Sequence, residues 1–309
     1  MAATTQETTP LPRRLDDVPG WFPVLDQLLF DWFLNRQEKA GLRGDLLEVG
    51  VYMGKSAIFT GRHLRPGETY TVCDLFEGDA PDDANQAEST KSYSKLTRRV
   101  FEQNYLAFHD ELPRVLQGPS SLVATEVAPG SCRFVHIDAS HLYEHVHGDI
   151  GAARELLLPD GIVVLDDFRS EHTPGVSIAA WEAVLNRDLN PICLSTQKLY
   201  GTWGDAGPVQ EELIKMIQAR TDCHLSTQEA AGHRIIRLKS KGMRAPEFPF
   251  SRYADTPDAP EAPEPAPAPT ASPASPAAPA ASRRRSRVRR IAADLLPPVL
   301  TRALRRAMK

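Results

Sequence analysis

Three aspartates follow two short apolar runs: Asp138 closes FVHID, and Asp166 and Asp167 close GIVVLDD. A third apolar run opens into a glycine turn, LLEVGVYMGKS at 46–56. In a doubly wound α/β sheet, ligands bind outside the carboxyl ends of the strands, so these segments converge on one crevice. Three carboxylates then share a small space. At roughly 4 Å and an effective dielectric near 20, each like-charged pair repels by about 4 kcal/mol. Such a cluster holds a cation, or some of its members stay protonated.

Histidines stand close to these acids. His141 follows Asp138 by three residues, at the entry to the next helix, and is the candidate general base; the bland alternative is a helix-start histidine that caps or meets solvent. HLYEH at 141–145 matches a zinc-protease pattern, but that pattern needs a helix set in a protease scaffold with a third protein ligand, whereas this one follows a sheet strand directly. His145 and His147 read as helix-surface residues, and His172 as a loop residue able to visit the site.

The glycine turn excludes two nucleotide motifs. GxGxxG needs a second glycine where Tyr52 stands, and the spacing from Gly50 to Gly54-Lys55-Ser56 is one residue short of a P-loop. Glu48 would also repel phosphate. An acid there suits a cationic or hydroxyl-bearing ligand, and Asp74, closing the next strand, is placed to accept hydrogen bonds from a ribose diol.

The elements that must position these groups alternate along the chain. Strands are expected at 45–50, 69–74, 114–118, 133–137, 161–167, 191–195 and 198–203, with helices at 21–40, 54–64, 92–108, 141–157 and 175–187. Trp21, Val24, Leu25, Leu28, Leu29, Trp32 and Phe33 mark the apolar stripe of the first helix. Near-continuous apolar strands separated by helices predict an α/β fold with a mostly parallel sheet covered on both faces. The last two strands are joined too tightly for a helix and form an antiparallel hairpin. Residues 208–240 add a helix and a strand or two. The acidic segment between Phe76 and Tyr93 reads as a lid over substrate or as a surface insertion.

The order of these features, ExGxxxGxS, an acid closing the second strand, IDxxHxY, and an apolar strand ending in DD, resembles the class I S-adenosylmethionine-dependent methyltransferases. It is most similar to the metal-dependent small-molecule O-methyltransferases, the macrolide-sugar and rhamnosyl groups among them, and covers about 44–204. The resemblance implies a Rossmann-like, seven-stranded sheet with a C-terminal antiparallel hairpin. It also implies that Glu48, Gly50 and Gly54 line the methionine end of S-adenosylmethionine, with Ser56 near its carboxylate. Asp74 would hold the ribose, and Gly118 and Ser120 would border the adenine. Asp138, Asp166 and Asp167 would bind Mg²⁺, whose preference is for hard oxygen ligands. His141 occupies a position where catechol O-methyltransferase carries a lysine base. The relatives usually read Asp-Gly at that strand end, whereas this chain has Asp138-Ala139. The implied partner is a small hydroxylated acceptor. Two other function classes stay open: a cofactor-binding module without catalysis, and a nucleotide-dependent oxidoreductase or hydroxylase-type pathway protein.

Outside that region the composition changes. Residues 1–19 are polar and proline-punctuated, an expected loose arm before a methyltransferase domain at 20–250. Of the 29 residues from Ala254 to Ser282, 9 are Pro and 11 Ala, a composition that buries no core and predicts a disordered linker. Residues 283–309 carry a charge of +9, against −13 for the rest, so the tail and the body have opposite preferences for partners. An arginine-rich face opposite Val288, Ile291, Leu295, Leu300, Leu304 and Met308 favours an anionic membrane surface. Nucleic acid is disfavoured because no aromatic residue is interleaved for base stacking; covering another subunit of a homo-oligomer is a further use. The four cysteines form no CxxC pair and read as buried reduced thiols. With no apolar segment near the N-terminus and no long apolar stretch, the expectation is a cytoplasmic protein, peripheral at the inner membrane surface if its tail docks there.

Overall fold

In the computed structural model, which describes residues 11–92 and 96–254, five apolar runs form parallel strands. They are β1 (Asp45–Val49), β2 (Tyr70–Asp74), β3 (Arg114–Gln117), β4 (Cys132–Ile137) and β5 (Leu157–Leu165). β4 is buried at every position, as a strand covered on both faces must be. The chain winds outward from β1 through β2 to β3, then returns to place β4 on the other side of β1. The crevice opens at this reversal, between the ends of β1 and β4.

β6 (Asn190–Leu194) and β7 (Leu199–Thr202) form the expected hairpin. Its turn is closed by the Ser195 N–H donating to the Lys198 carbonyl, and β7 inserts between β5 and β6, antiparallel to both. The sheet does not stop at the expected seven strands. β8 (Cys223–Ala230) and β9 (His233–Ser240) extend it to nine, in the order β3-β2-β1-β4-β5-β7-β6-β9-β8. A two-residue turn at Ala231 and Gly232, both with positive φ, sets this second hairpin.

Helices cover both faces. α1 (Val24–Lys39), α2 (Lys55–Gly61), α4 (Arg98–Phe108) and α8 (Ala206–Gln218) bury Phe30, Phe33, Phe59, Phe101 and Leu213 with Leu46, Phe134 and Val164 of the sheet. The opposite core joins α5 (Val123–Glu126), α6 (Tyr143–Leu156) and α7 (Pro174–Asn186) to Leu47, Val135 and Val163. No helix among the described residues is long and apolar enough to cross a membrane.

Several boundaries differ from expectation. The first helix starts at Val24 after Pro23, which leaves Trp21 outside the apolar stripe and 71% exposed, stacked on Tyr52. The segment expected as a lid or a surface insertion contains α3 (Asp83–Ser92), and the helix expected at 92–108 is α4, which begins at Arg98 and is capped by the Thr97 hydroxyl accepting from the Val100 N–H. Residues 11–19, expected to hang loose, carry the buried Leu15 and Val18, and the Ser251 N–H donates to the Arg13 carbonyl. The remainder of the arm, most of the Pro/Ala-rich linker and the basic tail, with the unit Asp258–Lys309, lie outside the described residues.

One glycine fixes the crevice. Gly50 has φ +82°, and a Cβ there would stand 2.0 Å from the Asp138 carbonyl oxygen. Left-handed backbone costs a non-glycine residue roughly 1–2 kcal/mol, and overpacking adds about 1–3 kcal/mol. Gly50→Ala is therefore expected to lower unfolding free energy by about 2–5 kcal/mol, as measured by urea denaturation.

Candidate functional site

Strand register assembles the site. β1 and β4 run parallel with Glu48 beside His136, and β5 and β7 run antiparallel with Leu165 opposite Leu199. Continuing the second register by one residue sets Lys198 against Asp166. Because side chains alternate across a sheet, Glu48, His136, Asp166 and Lys198 share the face covered by α1.

The four join in one buried chain of hydrogen bonds. The Lys198 ammonium donates to Asp166 Oδ2 and to His136 Nε2, the latter at 3.2 Å. With Nε2 accepting, His136 Nδ1 carries the hydrogen and donates to Glu48 Oε1 at 3.1 Å. Glu48 also accepts from the Ser56 and Tyr70 hydroxyls. From α1, Asp26 accepts a 2.6 Å bond from the Tyr200 hydroxyl on the same face. Lys198 has no exposed surface, nor has Glu48. Burial by itself would push Lys198 down, yet Asp166, Asp138 and Asp26 together raise it above the ordinary lysine value. Burial opposes ionisation of Asp166, but the Lys198 charge and its hydrogen bond hold it below the usual carboxylate range.

Asp138 and Asp167 sit at the edge of this chain. Burial and the neighbouring Asp166 push Asp138 well above the usual range. Asp167 behaves oppositely: despite burial, hydrogen bonds from His141 and Ser170 hold it down to about 2. Its backbone is left-handed at φ +51°, an uncommon conformation for a non-glycine residue that is found where function constrains the chain. The Ser170 hydroxyl donates to Oδ1 at 2.6 Å, and His141 Nε2 lies 3.0 Å from Oδ2. One donor atom each from Asp138, His141 and Asp167 lie within 4.8 Å of one another.

These groups decide how a divalent ion would fit. Of the three aspartates expected as ligands, Asp166 already accepts from Lys198 on one oxygen and from the Asp167 N–H on the other, at 2.7 Å. Asp138 and Asp166 line a cleft with Ser140 and His141, and Asp138 and Asp167, grouped with His141, offer the oxygen donors that a hard cation takes. His136 closes a second cluster with Asp138 and Asp166, but both of its ring nitrogens are engaged, by Glu48 and Lys198.

The residues expected at the cofactor gather at the tips of β1, β2 and β3. Asp74 accepts from the N–H groups of Val51 and Tyr52 at 2.8 and 3.0 Å and from Phe76 at 2.8 Å, clamping the glycine turn. A carboxylate has about four acceptor positions, so capacity for a hydroxyl remains. Gly54 holds φ +96° ahead of α2, and the Gly118 N–H donates to the Asp74 carbonyl. Ser120 stands opposite the buried Asp149 of α6. Glu48 and Ser56 meet each other within the buried chain, so their polar atoms are satisfied by protein.

The other histidines separate. His145 pairs with Asp82 at 2.8 Å, linking the segment before α3 to α6, whereas His141 pairs with Asp167, so HLYEH does not converge on one ion. His147 lies 3.7 Å from Glu182. His172 is exposed, its ring 6.3 Å from that of His141. Lys198, His136 and Asp26 are the participants that motif reading missed. The available signal was polarity out of place: His136 within FVHID, Lys198 opening an apolar strand, and Asp26 one turn before Phe30.

Residues 47–168 match the family model described as a methyltransferase domain. Among solved structures, the chain is similar to the O-methyltransferase NovP, with 19% identity over 58% of this chain and 79% of that one and a TM-score of 0.47. It is similar to CalS11, a TDP-rhamnose 3'-O-methyltransferase of calicheamicin biosynthesis, at 21% identity over 59% and 80%, TM-score 0.40. The SAH-bound methyltransferase PaMTH1 of Podospora anserina gives 15% identity over 60% and 83%, TM-score 0.40. Likenesses of this degree carry no argument about chemistry. No curated protein matches the chain.

Asp149 supplies a pH-dependent prediction. Burial pushes its carboxyl up to about 6, opposed by the Ser120 hydrogen bond and the charge of His145, and its Oδ2 has no partner. An unfolded aspartate titrates near 3.9, so the folded chain binds the extra proton between about 4 and 6. Stability therefore falls as pH rises through that window and levels off above it. Asp149→Asn removes the titration, so the stability of the variant relative to wild type is expected to grow by about 2 kcal/mol between pH 4 and pH 7 in urea titrations.

Proposed function

We propose that this methyltransferase domain transfers the methyl group of S-adenosylmethionine to a hydroxyl of a small molecule, with a sugar of a natural product or glycolipid as the acceptor class. The observation that carries this reading is the Asp167–His141 pair, 3.0 Å apart beside Asp138, on the same sheet edge as the acid-clamped glycine turn.

The sulfonium cofactor supplies an electrophilic methyl group and leaves as a neutral thioether, so no acid is required at the sulfur. Acidic groups at the tips of β1 and β2 suit a cationic, diol-bearing cofactor and disfavour a phosphate-rich one. The demand falls on the acceptor, because an alcohol is a weak nucleophile near neutral pH. His141 meets it as base. With Nε2–H donating to Asp167, Nδ1 is the basic nitrogen, and the ionised Asp167 both orients the ring and stabilises the imidazolium formed when it takes the hydroxyl proton. The left-handed turn at Asp167 and the Ser170 bond hold that carboxylate in place. Asp138 and Asp167 would hold a divalent ion such as Mg²⁺, which acidifies and pins an acceptor hydroxyl. Packing at the crevice supplies alignment, through the close approach of Gly50 to Asp138.

The charge of residues 283–309 supports docking to an anionic membrane surface from the cytoplasmic side, which would bring a lipid-linked acceptor within reach. Assembly into a homo-oligomer is an alternative use of the same tail.

Calorimetry is expected to detect adenosylhomocysteine binding, and a panel of polyols and glycosides with labelled S-adenosylmethionine to reveal methyl transfer. His141→Ala is expected to cut turnover by about 10²–10⁴-fold while adenosylhomocysteine still binds. NAD(P) binding without adenosylhomocysteine binding would contradict the reading.

A further inference from the structure

We infer that β8 is a docking edge for a second copy of this chain, the two β8 strands pairing antiparallel about a two-fold axis at Ser226. This edge lies five strands from β4 in the sheet order, so the pairing stands apart from the crevice and from the methyltransferase reading. An open sheet ends in two rows of unpaired N–H and C=O groups, and proteins blunt such edges with short strands, lysine, proline or bulges. The edge at β3 is blunted: it has four residues, and Arg114 is tied to Glu126 at 2.6 Å. The edge at β8 is not. Cys223–Ala230 runs for eight residues with no lysine, arginine or proline and no register shift against β9, and its one acid is Glu229.

Parity decides which backbone groups of β8 are free. The Ala231-Gly232 turn makes Ala230 and His233 the bonded pair that closes the hairpin. The same alternation continues down to Asp222, whose carbonyl accepts from the Lys241 N–H at 2.9 Å. The even-numbered residues of β8 therefore bond to β9, and Cys223, Leu225, Thr227 and Glu229 direct their backbone groups outward. Among the described residues no strand lies beyond them.

A second copy fits these four. Ladder bonds form only where an outward residue faces an outward residue. An axis at Ser226 sets Cys223 against Glu229 and Leu225 against Thr227, so all four take part. Moving the axis to Thr227 would engage three of them and set Leu225 against Glu229. In the Ser226 register no like charges are opposed, because the lone acid meets a cysteine. The basic residues of each hairpin, Arg234, Arg237 and Lys239, stand on β9, one strand back from the junction. Two such edges close on each other, which gives a dimer and not a filament.

Light scattering on the full chain, with hydrogen exchange in parallel, tests the pairing. A dimer that dissociates on dilution is expected, since an edge pairing is a small interface. The amides of Cys223, Leu225, Thr227 and Glu229 are expected to gain protection in the dimer, whereas those of His224, Ser226 and Gln228 are protected in both states. Thr227→Pro removes an outward N–H and no bond to β9, so it is expected to raise the dissociation constant about tenfold or more with an unchanged circular dichroism spectrum. Ser226→Lys and Ser226→Glu each set like charges face to face at the axis and are expected to weaken the dimer comparably. An equimolar mixture of those two variants is expected to restore a mixed dimer. Should Ser226→Lys fail to fold beside Arg237, Thr227→Pro and Ser226→Glu decide. A chain that stays monomeric up to about 1 mM overturns the inference. So does a dimer unmoved by Thr227→Pro and by the Ser226 substitutions, which would assign assembly to another surface, the basic tail included. Open-ended filaments would equally contradict a closed two-fold junction.

Discussion

A buried ammonium against a buried carboxylate is the interaction on which this molecule's site depends. Separately, Lys198 and Asp166 would each be intolerable where they sit; removing one partner of such a pair typically costs about 3–5 kcal/mol, because the other charge is left unpaired. Together they anchor a polar chain from Asp166 through Lys198 and His136 to Glu48. The chain runs beneath α1, where Phe30 stands edge-on to His136 at 5.1 Å between ring centroids. Apolar packing on one side and charge pairing on the other give the crevice floor a single arrangement. The second buried ion pair, Arg133 with Glu68 at 3.0 Å, lies at the start of β4, at the opposite edge of the sheet, where Gln37 and the His63 carbonyl also hold the guanidinium. It braces the fold and faces no cleft residue.

The same floor couples two halves of the proposed chemistry. The tips of β1, β2 and β3 carry the glycine turn and its Asp74 clamp; the tips of β4 and β5 carry Asp138, His141 and Asp167. Gly50 lets the backbones meet, with the Asp138 N–H donating to the Val49 carbonyl at 2.7 Å. Methyl transfer depends on in-line placement of donor and acceptor, so a rigid junction between those halves acts through positioning. Opposed pressures on the carboxyls complete the division of labour. Burial beside Asp166 favours a proton on Asp138, whereas His141 and Ser170 keep Asp167 ionised to serve the imidazole.

Much of this was legible in the residue order, for identifiable reasons. Apolar runs of fixed length, separated by helical periodicity, specified the parallel centre, and the short gap between 195 and 198 specified an antiparallel hairpin. The acids at strand ends followed from where ligands meet such sheets. What stayed hidden depends on register and turn geometry. That Lys198 meets Asp166 requires the pairing of Leu165 with Leu199, which periodicity alone does not set. β8 and β9 alternate weakly, with β8 largely exposed, so their membership of the sheet was not distinguishable from a cap. α3 is nearly devoid of apolar residues and gave no helical stripe. Trp21 lost its place in the first helix because Pro23 fixes the start three residues later, at Val24.

The most direct test of the central claim is crystallographic: anomalous scattering from Mn²⁺ in crystals grown with adenosylhomocysteine. The account predicts a peak between Asp138 and Asp167, with Lys198 still donating to Asp166. A peak remote from those two acids, or a Lys198 ammonium turned away from Asp166, would contradict the account.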